Sequence, residues 1–474
     1  MKINRITLTS STAVALFTVC TASFALEKPK TMDDMWKIIQ AQQQEIETMK
    51  SQLASTPVGD QPPTANTETS SVKKLERKTD VLSQEVEKLR TNLAIPEEAK
   101  YKSAYGLGPA ASKIYAVGKG LSIGGYGEGS YQAIVGDKGN NKNSADLERM
   151  VLYAGYKFTD NILFNSELEF EHATTGEGSE EKGEVSVEFA ALDFFIDPLA
   201  NIRAGLVLMP MGFINQIHEP PFFFGNNRPE VERRIIPSTW REVGIGLFGQ
   251  IAPGLTYTTY LVNGLNAEEF SSGGIREGRG SGSNAKAEDF GYVARMDYAP
   301  QVLPGVSVGG SAYIGNSGQN QTFAGKNPDV LVQLYEAHAQ WKYHGLEWRA
   351  LGSWGHIDNA DLISAQRTIE GKDGAVVGSE NYGWYTEVGY DILPHFIADT
   401  TQYLAPFFRY EQFDTIAQTP TGFLDDGNMD RRIYQVGLQY KPIPNVVIKA
   451  DYRNISAKTG SVPDDFNLGF GFIF

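Results

Sequence analysis

Cysteine is almost missing from this chain. Among 474 residues the only one is Cys20, inside an apolar stretch near the start. Such a fold has no disulfide staple, no thiolate nucleophile and no cysteine metal site. Basic charge is also short. Lys and Arg total 42 against 57 Asp and Glu, a formal net charge of −15, and the pI is ≈ 5.0. A nucleic-acid partner is excluded, because a phosphate backbone requires a basic face. Long apolar runs are lacking too. Mean hydropathy is −0.29, which argues against a bundle of membrane helices. The six histidines form no HExxH, and "GGYGEGS" (124–130) has no phosphate-loop lysine. No Ser lies beside a His with an orienting Asn or Asp at readable spacing. The chain therefore reads as a non-enzyme without cofactors or metal.

The chain does contain many glycines and aromatics: 49 Gly, 22 Tyr and 25 Phe. That mixture suits strands and turns. The first 25 residues read as a secretory signal. Lys2 and Arg5 give a positive start, "TAVALFTVC" (12–20) a short apolar core, and "SFA" (23–25) the small residues before a cut after Ala25. The core is too short to span a bilayer as a helix. Cys20 is a weak lipoprotein anchor, since Val19 precedes it where a small residue is expected.

Two heptad runs follow. Met32, Met35, Ile39, Gln42, Ile46, Met49 and Leu53 are spaced alternately by three and four residues. Val72, Leu75, Thr79, Leu82, Val86, Leu89 and Leu93 repeat that spacing. Narrow seams of this kind predict coiled coil over 26–54 and 72–95. The Pro/Thr/Ser-rich linker 55–71 separates them, and 96–117 is a connector. The alternative is a pair of amphipathic helices folded onto the same chain.

From about residue 118 the period changes to two. Sixteen strands are expected: 120–135, 144–159, 161–174, 184–197, 200–213, 240–251, 254–266, 289–300, 305–316, 329–343, 346–357, 381–393, 403–415, 430–442, 446–456 and 464–474. Short turns such as 159–161, 252–254 and 443–445 alternate with long polar stretches such as 267–288 and 358–380. One rim of short turns and one of long loops is the outer-membrane barrel pattern. Side chains alternate faces along a strand. Trp348 and Trp354 thus oppose Arg349 and Ser353, Phe408 opposes Arg409 and Glu411, and Ile448 opposes Lys449 and Asp451. Sixteen strands enclose a lumen too wide for their own side chains to fill. The greasy face must meet lipid, and the charged face must line water. Closure satisfies every backbone group, as hydrocarbon demands. The fold class is all-β, a 16-stranded antiparallel transmembrane β-barrel over 118–474, preceded by the helical coiled coil. Tyr156, Tyr257, Trp341, Tyr382 and Trp384 are expected in interfacial belts. The even strand count puts both termini, and the arm, in the periplasm.

The stretch after the fifth strand, "INQIHEPPFFFGNNRPEVERRIIPSTW" (214–240), is stiffened by prolines and carries aromatics that need burial. Inward-facing assignments give ten basic residues, among them Arg203, Arg295, Arg349 and Arg409. They also give ten acidic ones, among them Glu167, Glu169, Glu387 and Glu411. Balanced walls orient polar solutes and sort them by size. Arg228, Glu230, Glu232, Arg233 and Arg234 of the long stretch are the candidate constriction and solute-binding residues, together with Arg203, Arg295, Arg349 and Arg409 on the wall. Arg233 and Arg234 are favoured for solute contact, because two neighbours are not expected to turn to one partner.

The signal, the sixteen strands, the long third loop and the coiled-coil arm together resemble the phosphate-selective porin O/P superfamily and its coiled-coil-bearing dicarboxylate-porin relatives. The alternating row Phe466, Leu468, Phe470, Phe472 and Phe474 resembles the terminal signal read by the barrel-assembly machinery. The resemblance implies a homotrimer in a Gram-negative outer membrane; the acidity of the loops is expected to bind divalent cations with lipopolysaccharide. The resemblance also implies a third loop folded into the lumen and small hydrophilic solutes, phosphate or dicarboxylate among them. A barrel that merely anchors a spacing or tethering arm is the alternative. A TonB-dependent receptor is excluded, since the arm is too small for a globular plug.

Overall fold

The computed structural model describes residues 102–136, 141–174, 183–425 and 427–474. The expected signal peptide, both heptad segments and their linker lie outside the described residues. The rest is dominated by sixteen strands: β1 (Gly120–Val135), β2 (Ser144–Lys157), β3 (Ile162–Glu171), β4 (Val185–Asp197), β5 (Ala200–Leu208), β6 (Arg241–Ala252), β7 (Leu255–Asn263), β8 (Phe290–Tyr298), β9 (Val306–Asn316), β10 (Leu331–Tyr343), β11 (Leu346–Ile357), β12 (Glu380–Tyr390), β13 (Tyr403–Gln418), β14 (Asp430–Ile443), β15 (Val446–Ala457) and β16 (Asp464–Ile473). Each pairs antiparallel with its sequence neighbours, and β1 pairs with β16 to close the barrel. Phe474 seals the seam, exchanging backbone hydrogen bonds with Gly125 at 2.9 and 3.0 Å.

The alternation reads out on the surface. Ile123, Ile245, Leu261, Val436, Ile448, Leu468 and Phe470 are exposed on the outer face. Residues of the opposite face, among them Glu387, Arg409, Glu411, Lys449, Asp451 and Arg453, are buried inside. Two aromatic bands sit on the outer face. Tyr298, Trp341, Tyr343 and Tyr390 lie towards the short-turn rim, and Tyr292, Tyr335, Trp354 and Tyr434 towards the long-loop rim. Amphipathic rings belong at the two edges of a hydrocarbon slab.

Two expectations need correction. The fifth strand stops at Leu208, not near 213; the chain then turns inward. The lumen is also not uniformly polar. Towards the long-loop end the inner wall presents Val207, Val262, Val293, Tyr313, Val332, Leu334, Leu351, Tyr385, Phe413 and Ile433, all buried. Loop residues Met209, Met211, Ile235, Ile236, Trp240, Leu265, Phe270, Phe323 and Ile363 fill the space between them. A wide barrel thus builds a core from its own loops, and apolar inward residues become satisfied without lipid. Ile363 comes from helix α3 (Ala360–Ile369), in the loop before β12.

The last residues of the expected connector have a place of their own. Residues 103–117 lie inside the short-turn half of the barrel, with a single helical turn, α1 (Lys113–Ala116). Leu107, Ala110, Ala111 and Ile114 are buried. The inward-facing Gly155 leaves room for Ile114; a Cβ there would stand 2.9 Å from its Cγ1.

Candidate functional site

The third loop, residues 209–240, folds into the lumen and carries a short helix, α2 (Glu230–Arg234). Its base is closed by Asn215, which donates to the carbonyls of Met209 (2.6 Å) and Trp240 (3.0 Å) and accepts from the Trp240 amide at 2.6 Å. Beyond the base, basic wall residues take up its carbonyls one after another. Arg349 donates to Phe222 O (3.0 Å), Arg409 to Phe224 O (2.6 Å) and Asn227 O (3.1 Å), and Lys449 to Gly225 O (2.8 Å). Asp451 answers from the same wall, accepting from the amide and side chain of Asn226 at 2.8 and 2.6 Å. Hydrogen bonds to charged groups contribute about 1.5–3 kcal/mol each. Six such bonds on residues 222–227 offset the roughly 1–2 kcal/mol per residue that ordering the backbone costs.

Of the aromatic run, Phe223 and Phe224 are buried and Phe222 is half-buried. The Phe224 and Phe407 rings stack 5.1 Å apart, and Lys449 Nζ sits 3.6 Å from the centre of the Phe223 ring. Glu232 is fully buried; it accepts from the Ile214 amide at 2.7 Å and the Tyr385 hydroxyl at 2.5 Å.

The arginine pair departs from expectation. Arg233 and Arg234 both turn to Glu230, at 3.2 and 2.7 Å. Residues three and four apart share a helix face, and the turn of α2 was not legible in the Pro-flanked stretch. Burial alone would raise Glu230. Arg233, then Arg234 and Arg453, outweigh it and hold the carboxyl at about 2.

Arg233 keeps 49% of its side chain exposed, against 25% for Arg234. Two arginines that sequence reasoning missed join it from the loop before β8. Arg276 donates to Arg233 O (3.2 Å) and Ser238 O (3.0 Å), and Arg279 donates to Ser238 O (2.9 Å). Burial first, then Arg279 and Arg233, pull Arg276 down to about 9. A guanidinium nonetheless stays charged at neutral pH, so the crowd is a positive potential towards the loop end of the lumen. Only the density of Arg in "IREGRG" (275–280) hinted at it.

The wall residues serve other contacts. Arg349 and Arg409 share Glu387, and Arg409 is 0% exposed. Arg203 makes a two-pronged pair with Asp193 and donates to Tyr105 O and Tyr115 Oη, so it grips the inserted segment. Glu219 of the third loop accepts from the Ala110 (2.9 Å) and Ala111 (3.2 Å) amides. Burial pushes Glu219 up to about 8, although those amides favour its charged form. Arg295 pairs with Asp297 and donates to Gly212 O. Arg295 and Asp297 also border a cavity of ≈ 490 Å³ at the short-turn end, bounded by Tyr105, Gln216 and Phe248. Arg228 stands apart from these pairs: its Nε and Nη2 are buried without a hydrogen-bond partner among the described residues. Burial, and then Arg228, hold His218 below the ordinary imidazole range.

No family model matches the chain. A protein of Aquifex aeolicus described as uncharacterized is 39% identical over 395 residues, spanning 82% of this chain and 87% of that one. The chain belongs to that protein's family. Among solved structures, OmpF of Salmonella typhi, in complex with daunomycin, superposes with a TM-score of 0.51 at 14% identity, covering 75% of this chain and 98% of that one. The outer membrane channel DcaP of Acinetobacter baumannii matches at TM-score 0.47 and 14% identity, over 75% and 97%. The OmpF likeness is one of fold, a porin-type barrel.

Proposed function

We propose that this family member is an outer-membrane porin, a diffusion channel for small hydrophilic solutes and ions narrowed by the third loop. One observation carries the reading: a closed sixteen-stranded sheet has an apolar, aromatic-banded outer face and a belt of paired charges inside. Only a bilayer makes such an outer face favourable. The start of β1 and the end of β16 both fall at the short-turn rim, which in this class is the periplasmic side; the heptad arm would lie there and support a homotrimer. Phe474 would be read by the barrel-assembly machinery. Arg233, Arg276 and Arg279 favour anions at the loop end, and phosphate and dicarboxylates are the solutes to try first. Arg349, Arg409 and Arg203 shape the passage by holding the loop and the inserted segment, because their donors are already engaged.

A second reading has an observation of its own. The lumen holds residues 103–117, the third loop and an apolar core, and that suits a barrel serving as anchor for an envelope-spacing arm. Planar bilayers separate the two. A porin gives stepwise conductance, in threes if trimeric, with a reversal potential that shifts under a salt gradient. A barrel that is folded yet silent in the bilayer refutes the channel.

A further inference from the structure

Three ligating side chains from three segments converge in the lumen: Glu167 on β3, Glu188 on β4 and His218 on the third loop. His218 Nε2 lies 3.1 Å from Glu167 Oε1 and 3.5 Å from Glu188 Oε2. All three residues are at most 2% exposed. The other side of the ring is occupied, with Nδ1 3.3 Å from the Asn215 carbonyl. A neutral imidazole has one N–H. If that hydrogen serves Asn215, the Nε2 lone pair faces two carboxylate oxygens, and three acceptors point at one another. Glu188 Oε1 is taken by Arg241 at 3.0 Å, while Glu188 Oε2 and Glu167 Oε2 find no hydrogen-bond donor among the described residues. Unmet buried carboxylate oxygens are costly. Glu169 is paired with Arg149 at 2.9 Å and also lies within hydrogen-bond reach of Glu188, and the Arg228 guanidinium donates to none of the three.

We infer that Glu167, Glu188 and His218 bind one divalent transition-metal ion, which ties the third loop to β3 and β4. The spacing fits. Tetrahedral zinc with ligands at about 2.0–2.1 Å places ligand atoms roughly 3.3 Å apart, and the two distances from Nε2 bracket that value. One imidazole with two carboxylates suits zinc and its neighbours; magnesium and calcium take all-oxygen shells. The Asn215 carbonyl orients the ring from behind, as partners of metal-bound histidines do. This site stands whether or not the barrel conducts.

The test uses the full detergent-solubilised chain, equilibrated with Zn²⁺, desalted and assayed for bound metal by mass spectrometry. About one zinc per chain is expected, with no displacement by excess Mg²⁺ or Ca²⁺. His218→Ala and Glu167→Gln should each lose that zinc while keeping the folded, heat-modifiable gel mobility. Should His218→Ala fail to fold, the isosteric Glu167→Gln decides alone. No zinc on the parent chain, full displacement by Mg²⁺, or equal zinc on a folded variant overturns the site.

Discussion

Arg409 and Glu387 face each other across β12 and β13, with Arg409 Nε and Nη2 at 2.8 and 2.7 Å from one carboxylate oxygen. The remaining donors of Arg409 reach the third loop and Gln435. One guanidinium therefore couples wall to loop. Arg409→Met should cost about 3–5 kcal/mol, the usual result of breaking a buried pair. The gel-shift temperature on heating should fall, and single-channel noise should rise as Phe224 and Asn227 lose their anchor. Unchanged values for both would place the loop's rigidity elsewhere.

Acid should loosen α2. Glu230 titrates at about 2, below its ordinary 4.5. A depressed carboxyl stabilises the fold above its unfolded pKa and loses that contribution as pH falls through the folded one. The window runs from about 4.5 down to 2, and the contribution is on the order of 3 kcal/mol. Conductance should therefore be steady from pH 7 to 5 and fluctuate below 4. In Glu230→Gln the fluctuation should already be present at pH 7 and should not change with acid.

The arginine crowd sets the sign of selectivity under the porin reading. Replacing Arg233 and Arg276 with Ala removes two positive charges while leaving Arg409 and Lys449 to hold the loop. Reversal potentials in a salt gradient should move towards cations. A variant as anion-preferring as the parent would place selection away from the loop end.

The seam rests on a glycine. A Cβ on Gly125 would stand 2.4 Å from Val151 O and 2.6 Å from the Phe474 ring. Gly125→Val should therefore weaken the β1–β16 join by about 1–3 kcal/mol, as overpacking does. It should also lower the yield of heat-modifiable protein. Gly118→Val, where nothing among the described residues lies within 4 Å, is the control.

Most of the barrel was legible because each strand obeys one local rule, alternation of faces, and hydrocarbon outside makes the rule strict. Trp348 against Arg349 and Ile448 against Lys449 declare their sides without any long-range information. The interior was read less well. Inward Leu334, Leu351 and Phe413 break the polar pattern, and their partners Phe270, Phe323 and Trp240 come from loops whose paths no periodicity encodes. Helix α2 spans little more than one turn, too short for a 3.6-residue pattern, so the sharing of Glu230 stayed hidden. The convergence of His218 with Glu167 and Glu188 spans 51 residues and depends wholly on the loop folding inward.

The inserted segment went unnoticed because "GLGPAAS" (106–112) reads as a linker, yet small residues are what a crowded lumen admits. Tyr115 secures it, donating to Asp193 at 2.8 Å and accepting from Arg203 at 2.9 Å. Tyr115→Phe removes both bonds and should cost about 1–2 kcal/mol; deletion of 103–117 removes the whole insertion and opens the cavity beside Gln216. If the segment obstructs a channel, conductance should rise modestly in Tyr115→Phe and severalfold in the deletion, with the barrel still heat-modifiable. If the barrel is an anchor, both variants stay silent in the bilayer, because the third loop and the apolar core still fill the loop end. A deletion that conducts no more than the parent, while the parent itself conducts, would show that solutes pass the segment on its open side, along the wall lined by Arg295 and Asp297.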